Sequence, residues 1–300
     1  MNNPQASGPF EARYLAFLET ITQLRPRLHR YCSRMTGSVM DGEDVVQDAL
    51  FEAYRKLDQY DDRRPLAPWL FRIAHNRCID FLRRRGVRIE VETTAMSPDF
   101  VMPADTPVLG VGRAVEQLVI NLPPMERACV LLKDIFDYTL EEIAELVSST
   151  VGGVKAALNR GRMKLAASSE PVISRREVSP ELSRLLHLYV DGFNKRDWEG
   201  LRKLISADAR LRVADRFVGS LDESPYFGNY ERQTVPWRLA VAEVDGELAV
   251  VALRQYEGDW RPHSVARLQV IDRHIAQIVD YAHCPWVLSG ATSVVVAQPS

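Results

Sequence analysis

The sequence has few cysteines, and none of them lies in a motif that would give it a chemical role. Cys32, Cys78, Cys129 and Cys284 stand far apart and form no C-x-x-C pair. This spacing favours reduced, buried thiols in the cytosol over a disulfide framework or a zinc site. The chain also lacks an apolar run of membrane-spanning length, and the start, MNNPQASGPF, lacks the basic and apolar regions of a secretion signal. We therefore expect a cytoplasmic protein that does not contact the membrane and holds no metal or cofactor.

An overall excess of charge is absent as well. The 38 Lys and Arg against 40 Asp and Glu give a formal net charge of −2, so the composition gives no sign of nucleic-acid binding. Locally the charges are separated. Basic residues are concentrated within 72–88 and 155–164, whereas acidic residues are concentrated within 41–48 and 141–145. This separation predicts distinct basic and acidic surfaces on one chain.

Apolar spacing divides the chain into three blocks. Residues 10–86 and 113–168 carry apolar residues at the three- and four-residue steps of helices. Residues 87–112 contain three prolines and no periodicity, which is typical of a linker, and residues 169–180 form a second break.

The third block, residues 181–288, changes from helical spacing to strand-like runs. Asp245 and Gly246 separate WRLAVAEV from ELAVVALRQY and predict a two-residue type I′ hairpin turn. We therefore expect a multi-domain chain, in which an all-α part precedes an α+β domain with an antiparallel sheet.

The second helical block predicts a helix-turn-helix. Thr139 can cap a short helix, with Glu142 in the capping-box position, and Ser148–Thr150 can form the turn. A second helix from about Val151 then has one buried side and one basic side. A basic helix after such a turn is the element that enters a DNA major groove in helix-turn-helix proteins.

The first helical block contains two further segments. In SVMDGEDVVQDALFEAYRKLDQY we expect Asp41 to cap a helix, and PWLFRIAHNRCIDFLRRR begins after the helix breakers Pro65 and Pro68. These segments resemble region 2 of sigma factors, and the 113–168 block resembles region 4. In their order and spacing, residues 10–168 are similar to extracytoplasmic-function sigma factors. The resemblance implies a transcription initiation factor that is not an enzyme and binds core RNA polymerase and promoter DNA.

Region 4 of this family reads the −35 promoter element. Arg and Lys can pair with guanine, and Asn with adenine, in the major groove. The resemblance places both base contacts and phosphate contacts on the recognition helix, and Thr150 and Arg162 are the better candidates for phosphates. The residues that it implies are Thr150, Lys155, Ala156, Asn159, Arg160 and Arg162.

Region 2 of the family melts and reads the −10 element. Unstacking a base costs free energy, which aromatic stacking and cationic contacts with the backbone can return. We expect Trp69 to be packed rather than stacked on a base, and His75 to be an ordinary surface residue. The candidates are Tyr60, Trp69, Arg72, His75, Asn76, Arg77, Asp80, Arg83, Arg84 and Arg85.

The acidic helix of region 2 binds the polymerase β′ clamp helices in this family, and region 4 meets the β flap. An exposed carboxylate pair beside an aromatic ring suits such a protein contact. The residues implied are Asp44, Gln47, Asp48 and Phe51.

The C-terminal block resembles the SnoaL-like cone fold, in which a curved sheet surrounds a pocket. Relatives of this fold include enzymes and inert binding modules. The stretch Asp215–Gly219 is the nearest match to a glycine-rich motif that some sigma factors carry in such a domain, and it lacks that pattern. We expect a regulatory domain with a small-molecule pocket, for which the candidate residues are Tyr189, Asp215, His263, Asp280 and His283.

Two alternatives to a sigma factor remain open at this point. An ordinary helix-turn-helix regulator with a ligand-sensing domain would bind duplex DNA alone and would leave the Asp44–Phe51 face unused. An enzyme that acts in the SnoaL-like pocket would need acid–base groups there, and no pair of the candidate residues has a diagnostic spacing.

Overall fold

The computed structural model describes residues 9–61, 63–86, 119–167 and 179–297. The predicted linker at residues 87–112, the start of the predicted helix at 113 and most of the 169–180 break lie outside the described residues. By their internal contacts the residues form two compact units, which divide near position 172.

The first unit is helical throughout its described part, as the apolar spacing predicts. Two 3₁₀ turns, Leu57–Gln59 and Val119–Asn121, lie between its helices. A π-helical turn, Leu131–Ile135, directly follows the helix that ends at Val130. The α-helices are α1 (Pro9–Thr36), α2 (Val39–Arg55), α3 (Leu66–Arg84), α4 (Pro124–Val130), α5 (Leu140–Leu146) and α6 (Val151–Ala167).

The expected cap at Asp41 is wrong. Helix α2 begins at Val39, so Asp41 lies inside its first turn. An acidic residue favours the helix N-terminus both as a cap and within the first turn, where it interacts with the helix dipole. The sequence therefore identifies the start of the helix only to within two residues.

One hydrophobic core joins the helices of the two predicted modules. Phe71 of α3 packs edge-on against Tyr31 of α1 and Phe136 beyond α4, with ring centroids 5.8 Å apart in each pair. Arg127 of α4 is buried, and its guanidinium donates hydrogen bonds to the carbonyls of Met35 in α1 and of Leu122. Burial lowers the pKa of Arg127 to about 10. The two predicted helical modules therefore pack together in this conformation.

The second unit is an α+β domain. Four helices and seven strands follow one another from residue 180 to residue 296. They are α7 (Pro180–Lys195), α8 (Trp198–Leu204), β1 (Ile205–Val213), β2 (Phe217–Ser220), α9 (Tyr226–Glu231), β3 (Trp237–Val244), β4 (Glu247–Tyr256), β5 (Asp259–Ile271), β6 (His274–Asp280), α10 (Pro285–Ser289) and β7 (Val294–Val296).

The strands form one seven-stranded sheet in the order β2-β1-β6-β5-β4-β3-β7. Strands β1 and β6 run parallel, which corrects the expectation of an antiparallel sheet, while the remaining neighbours are antiparallel. A hairpin can be recognised from its turn residues, but 60 residues separate the end of β1 from the start of β6, and no local signal sets their relative direction.

The predicted hairpin between β3 and β4 is confirmed. Asp245 and Gly246 have φ angles of 48° and 79°, as a type I′ turn requires, and Val244 pairs with Glu247. Helix α7 is fixed to β3 through Asn194, whose side-chain amide exchanges two hydrogen bonds with the backbone of Leu239, 2.8 and 2.9 Å long. This helix covers one face of the sheet and carries Tyr189 towards the interior.

Within the described ranges, no helix combines the length and the apolarity that a bilayer crossing requires.

Candidate promoter, polymerase and pocket sites

The helix-turn-helix has the predicted geometry. The Thr139 hydroxyl accepts from the Glu142 backbone N–H at 3.2 Å, and a Glu142 carboxylate oxygen accepts from the Thr139 N–H at 2.8 Å, which completes a capping box. Ser148, with a φ of 55°, turns the chain before α6 begins at Val151. The Thr150 hydroxyl accepts from the Gly153 N–H at 3.0 Å, so it caps α6.

Most of the candidate −35 residues lie on the outer face of α6. Lys155, Ala156 and Arg160 are exposed, and Asn159 is half-buried. Val154, Ala157 and Leu158 form the inner face, so the helix has the buried side that its sequence predicts. Among the described residues Lys155 has no hydrogen-bond or ion-pair partner, so its charge is available to a phosphate.

The other cations of α6 are paired with acidic residues of the segment from α4 to the π-helical turn. Arg160 Nε donates to a carboxylate oxygen of Glu126 at 3.1 Å, and Lys164 Nζ lies 2.9 Å from the other oxygen. Arg162 donates two hydrogen bonds to Asp134, which raise the pKa of Arg162. Sequence reasoning missed both acids because they lie 28 to 38 residues before their partners.

Five of the candidate −10 residues recur at three- and four-residue steps, so they lie along one face of α3: Trp69, Arg72, Asn76, Asp80 and Arg83. Arg72, Asn76, Arg83, Arg84 and Arg85 are exposed, while Trp69, Arg77 and Asp80 are half-buried. Arg77 is paired with Glu52, Arg83 with Asp80, and Arg85 with Asp41. Arg84 Nε donates to the Asp80 carbonyl at 3.4 Å.

His75 contradicts the expectation of a surface residue. It is buried, and its Nδ1 lies 2.8 Å from the Tyr31 hydroxyl in the core of the first unit. Burial lowers the pKa of His75 to about 4, so the ring is neutral at pH 7. In this conformation His75 cannot reach DNA, and we assign it to the core.

Trp69 and Tyr60 lie together at the start of α3, with ring centroids 4.9 Å apart. They line a cleft of about 710 Å³ with Arg72, and Tyr138 and Glu145 of the region 4 module line its other side. Trp69 is therefore packed on Tyr60 in part, as expected, and still borders open space.

The candidate polymerase face lies on α2. Asp48 and Phe51 are exposed, the latter to 66%, while Asp44 and Gln47 are half-buried. Tyr54, one turn after Phe51, is 47% exposed and packs edge-on against Tyr14 of α1. An exposed aromatic pair beside a carboxylate has the composition of a protein-binding surface. Tyr54 was missed because no charged residue marks it.

In the second unit the structure brings together only two of the five candidate pocket residues. Tyr189 and Asp280 line a small cavity with Tyr226 and Tyr230 of α9, which sequence reasoning missed. Asp215 and His283 are exposed, and His263 lies beside Tyr256, so these three do not line the cavity. The pattern of side chains along each helix or strand does not show which residues from distant segments lie together in the fold. This explains why three of the five candidates do not line the cavity.

Asp280 is the centre of the cavity's hydrogen bonding. One carboxylate oxygen accepts from the hydroxyls of Tyr226 and Tyr230 at 2.9 and 2.7 Å, and the other accepts from the Ala282 N–H at 2.8 Å. Burial raises the pKa of Asp280, while these hydrogen bonds oppose the shift. The water-accessible volume is about 10 Å³, which is room for one water.

Comparisons with known proteins identify the family of both helical modules. The family model for Sigma-70 region 2 matches residues 20–88, and the model for Sigma-70 region 4 matches residues 112–165. The ECF RNA polymerase sigma factor SigW of Bacillus subtilis is 33% identical over 162 residues, which cover 50% of this chain and 87% of SigW.

Two solved structures also resemble the chain. The extracytoplasmic function sigma factor SigJ of Mycobacterium tuberculosis covers 92% of this chain and 99% of its own, with 20% identity and a TM-score of 0.36. A Kribbella flavida protein described as a ketosteroid isomerase covers 40% of this chain and 84% of its own, with 20% identity and a TM-score of 0.28. Likenesses of that size do not establish a function. The two matching regions and the extent of the match to SigW show that this chain belongs to the family of ECF RNA polymerase sigma factors.

Proposed function

We propose that this chain binds core RNA polymerase, directs it to selected promoters and initiates transcription there. The observation that carries the proposal is the presence of both sigma regions in order, with a match that extends over most of SigW. Promoter recognition is divided between α6, which reads the −35 element, and the surface of α3 with Tyr60, which takes the −10 element.

The polymerase contact is assigned to α2. Asp48 and Phe51 form an exposed face on that helix, whereas the exposed cation Lys155 lies on α6. This separation supports a division of labour in which α2 meets the β′ clamp helices and the region 4 module meets the β flap. An ordinary DNA-binding regulator has no need for the α2 face.

Transcription in vitro with purified core polymerase and a genomic promoter library tests the proposal. We expect transcripts from a limited set of promoters, and only when the full chain is added. A gel shift with and without core polymerase separates this function from that of an ordinary regulator, because such a regulator would bind promoter duplex tightly by itself.

The C-terminal domain is assigned a regulatory, non-enzymatic role in the cytoplasm. The cavity beside Asp280 supports the non-enzymatic part of this proposal, because room for one water leaves no space there for an organic substrate. A small-molecule ligand would have to displace Tyr226 or Tyr230. Chains that end after Ala167 should differ from the full chain in transcription or polymerase affinity, and identical values would remove the regulatory role.

A further inference from the structure

Two cations of the recognition helix converge on one buried carboxylate. Glu126 is 2% exposed, and its Oε1 accepts from Arg160 Nε at 3.1 Å and from Lys164 Nζ at 3.1 Å. Its Oε2 lies 2.9 Å from the same Lys164 nitrogen. Glu126 belongs to α4, outside the helix-turn-helix, so the recognition helix is held from behind by a third helix.

Close packing of α4 and α6 makes this arrangement possible. Gly161 lies between the two cations in sequence, and a Cβ there would be 2.9 Å from Cγ2 of Val130 and 3.4 Å from the Glu126 carbonyl oxygen. The missing side chain lets the helices approach. The side chains of Arg160 and Lys164, which come before and after Gly161, can then reach the Glu126 carboxylate.

Glu126 lies between two like charges of the recognition helix. Arg160 and Lys164 are four residues apart, so they are neighbours on the helix surface and repel each other. The Glu126 carboxylate between them relieves this repulsion. The side chains of Arg160 and Lys164 remain 46% and 49% exposed, so both cations can be reached from solvent while one end of each is held.

We propose that Glu126 is a positioning residue for −35 recognition, which orients Arg160 and thereby sets the base preference that Arg160 reads. This inference rests on the proposed function. A free arginine side chain loses rotamer entropy when it binds, whereas an arginine that is already held loses less. A planar guanidinium distinguishes guanine from other bases only in the correct orientation, so fixing its plane preserves discrimination.

The ion pair of Arg162 with Asp134 has a different role. Both Nε and Nη2 of Arg162 are bound to Asp134, and the two side chains are 32% and 19% exposed. An arginine bound by two hydrogen bonds and half-buried is held in the protein rather than offered to DNA. Glu126 therefore holds Arg160, which can still reach a base. Asp134 holds Arg162, which is not offered to DNA.

The test uses the full chain with core polymerase and a promoter library randomised across the upstream element. The variants are Glu126→Gln, Arg160→Ala and the combination of both, and the readout is the base preference at each position. Glu141→Gln is the control, because it removes the same charge from an exposed residue of the same module. Melting temperatures of all variants are measured alongside.

We expect Glu126→Gln to lower base discrimination about tenfold at one or two positions, which are the positions that Arg160→Ala affects. The double variant should lose nothing further there, since both changes remove one interaction. Preferences at the −10 element should not change. Should Glu126→Gln fail to fold, Glu126→Asp serves instead, because it keeps the negative charge and withdraws the carboxylate from Arg160, so base preference should weaken at the same positions, and unchanged preferences would overturn the proposal.

A Glu126→Gln chain that lowers transcription from every library member by one factor, with its base preferences intact, would overturn the assignment and leave Glu126 a purely structural residue. Absence of promoter-specific transcription from the unsubstituted chain would overturn the proposed function itself. The two failures are therefore distinguishable.

Discussion

Arg162 and Asp134 form an ion pair with two hydrogen bonds, in which Nε and Nη2 of the arginine lie 3.1 and 2.5 Å from the two carboxylate oxygens. The pair joins the recognition helix to the π-helical turn that follows α4. It is half-buried, so water screens it less than an exposed pair.

Arg162→Ala should therefore destabilise the region 4 module. Loss of two charge-assisted hydrogen bonds is expected to lower the free energy of unfolding by about 1–2 kcal/mol. Thermal unfolding followed by circular dichroism measures this change. Lys155→Ala is the matched control, and its effect should stay within about 0.5 kcal/mol because the side chain is exposed and has no hydrogen-bond or ion-pair partner among the described residues. Equal losses for the two variants would contradict the structural role of Arg162.

Lys155→Ala should weaken promoter binding by the holoenzyme instead. A cation that neutralises one phosphate contributes about 0.9 to the slope of log K against log salt on duplex DNA. We expect the slope to decrease by about that amount, as measured by fluorescence anisotropy of a labelled promoter fragment at several salt concentrations. Lys203→Ala removes an exposed charge from α8 of the second unit and should leave the slope as it was.

Phe51→Ala and Asp48→Asn should lower the affinity for core polymerase. The exposed ring of Phe51 would be buried in that contact, and an aromatic anchor of this kind typically contributes about 2 kcal/mol or more. Affinity for core polymerase can be measured by competition with a labelled sigma factor. Ile271→Ala, which truncates a side chain in the second unit that is 61% exposed, is the control. Retained polymerase affinity in both α2 variants would exclude α2 as the contact.

His75 should make the stability of the first unit depend on pH. Its pKa in the folded chain is about 4, against an ordinary value of 6.5, because burial disfavours the charged ring. As the pH falls below about 6.5 the unfolded chain takes up the proton first, so stability is full above that pH and declines towards pH 4. For this group we expect a loss of about 2 kcal/mol between pH 7.5 and pH 5.

Urea unfolding followed by circular dichroism at several pH values measures that decline. His75→Gln keeps a hydrogen-bonding partner for the Tyr31 hydroxyl and removes the titrating group, so its decline should be shallower. Parallel pH profiles for the two chains would mean that His75 is not the cause.

Local signals in the sequence predicted local structure well. The capping box of Thr139 and Glu142, the helix start at Val151 and the Asp245–Gly246 turn each depend on residues within a few positions of one another, and all are confirmed. Caps and turns are determined by short-range hydrogen bonds and φ preferences, which a sequence displays directly.

Contacts between distant residues were not predictable in the same way. Glu126 lies 34 residues before Arg160, and Tyr226 lies 54 residues before Asp280, so nothing in the local pattern joins them. His75 shows a second limit. A polar residue between Ala74 and Asn76 is assigned to the surface by its type, whereas its burial depends on the position of Tyr31 in another helix. The sequence therefore indicates the helix that carries a site more reliably than the partners of its side chains.

The most direct test of the central claim is binding of the purified full chain to core RNA polymerase, followed by transcription from a promoter library. A stable complex that initiates at a limited set of promoters, and that loses core binding with Asp48→Asn but base preference with Arg160→Ala, is the predicted result. No association with core polymerase, or tight promoter binding by the chain alone with no effect on transcription, would contradict the account.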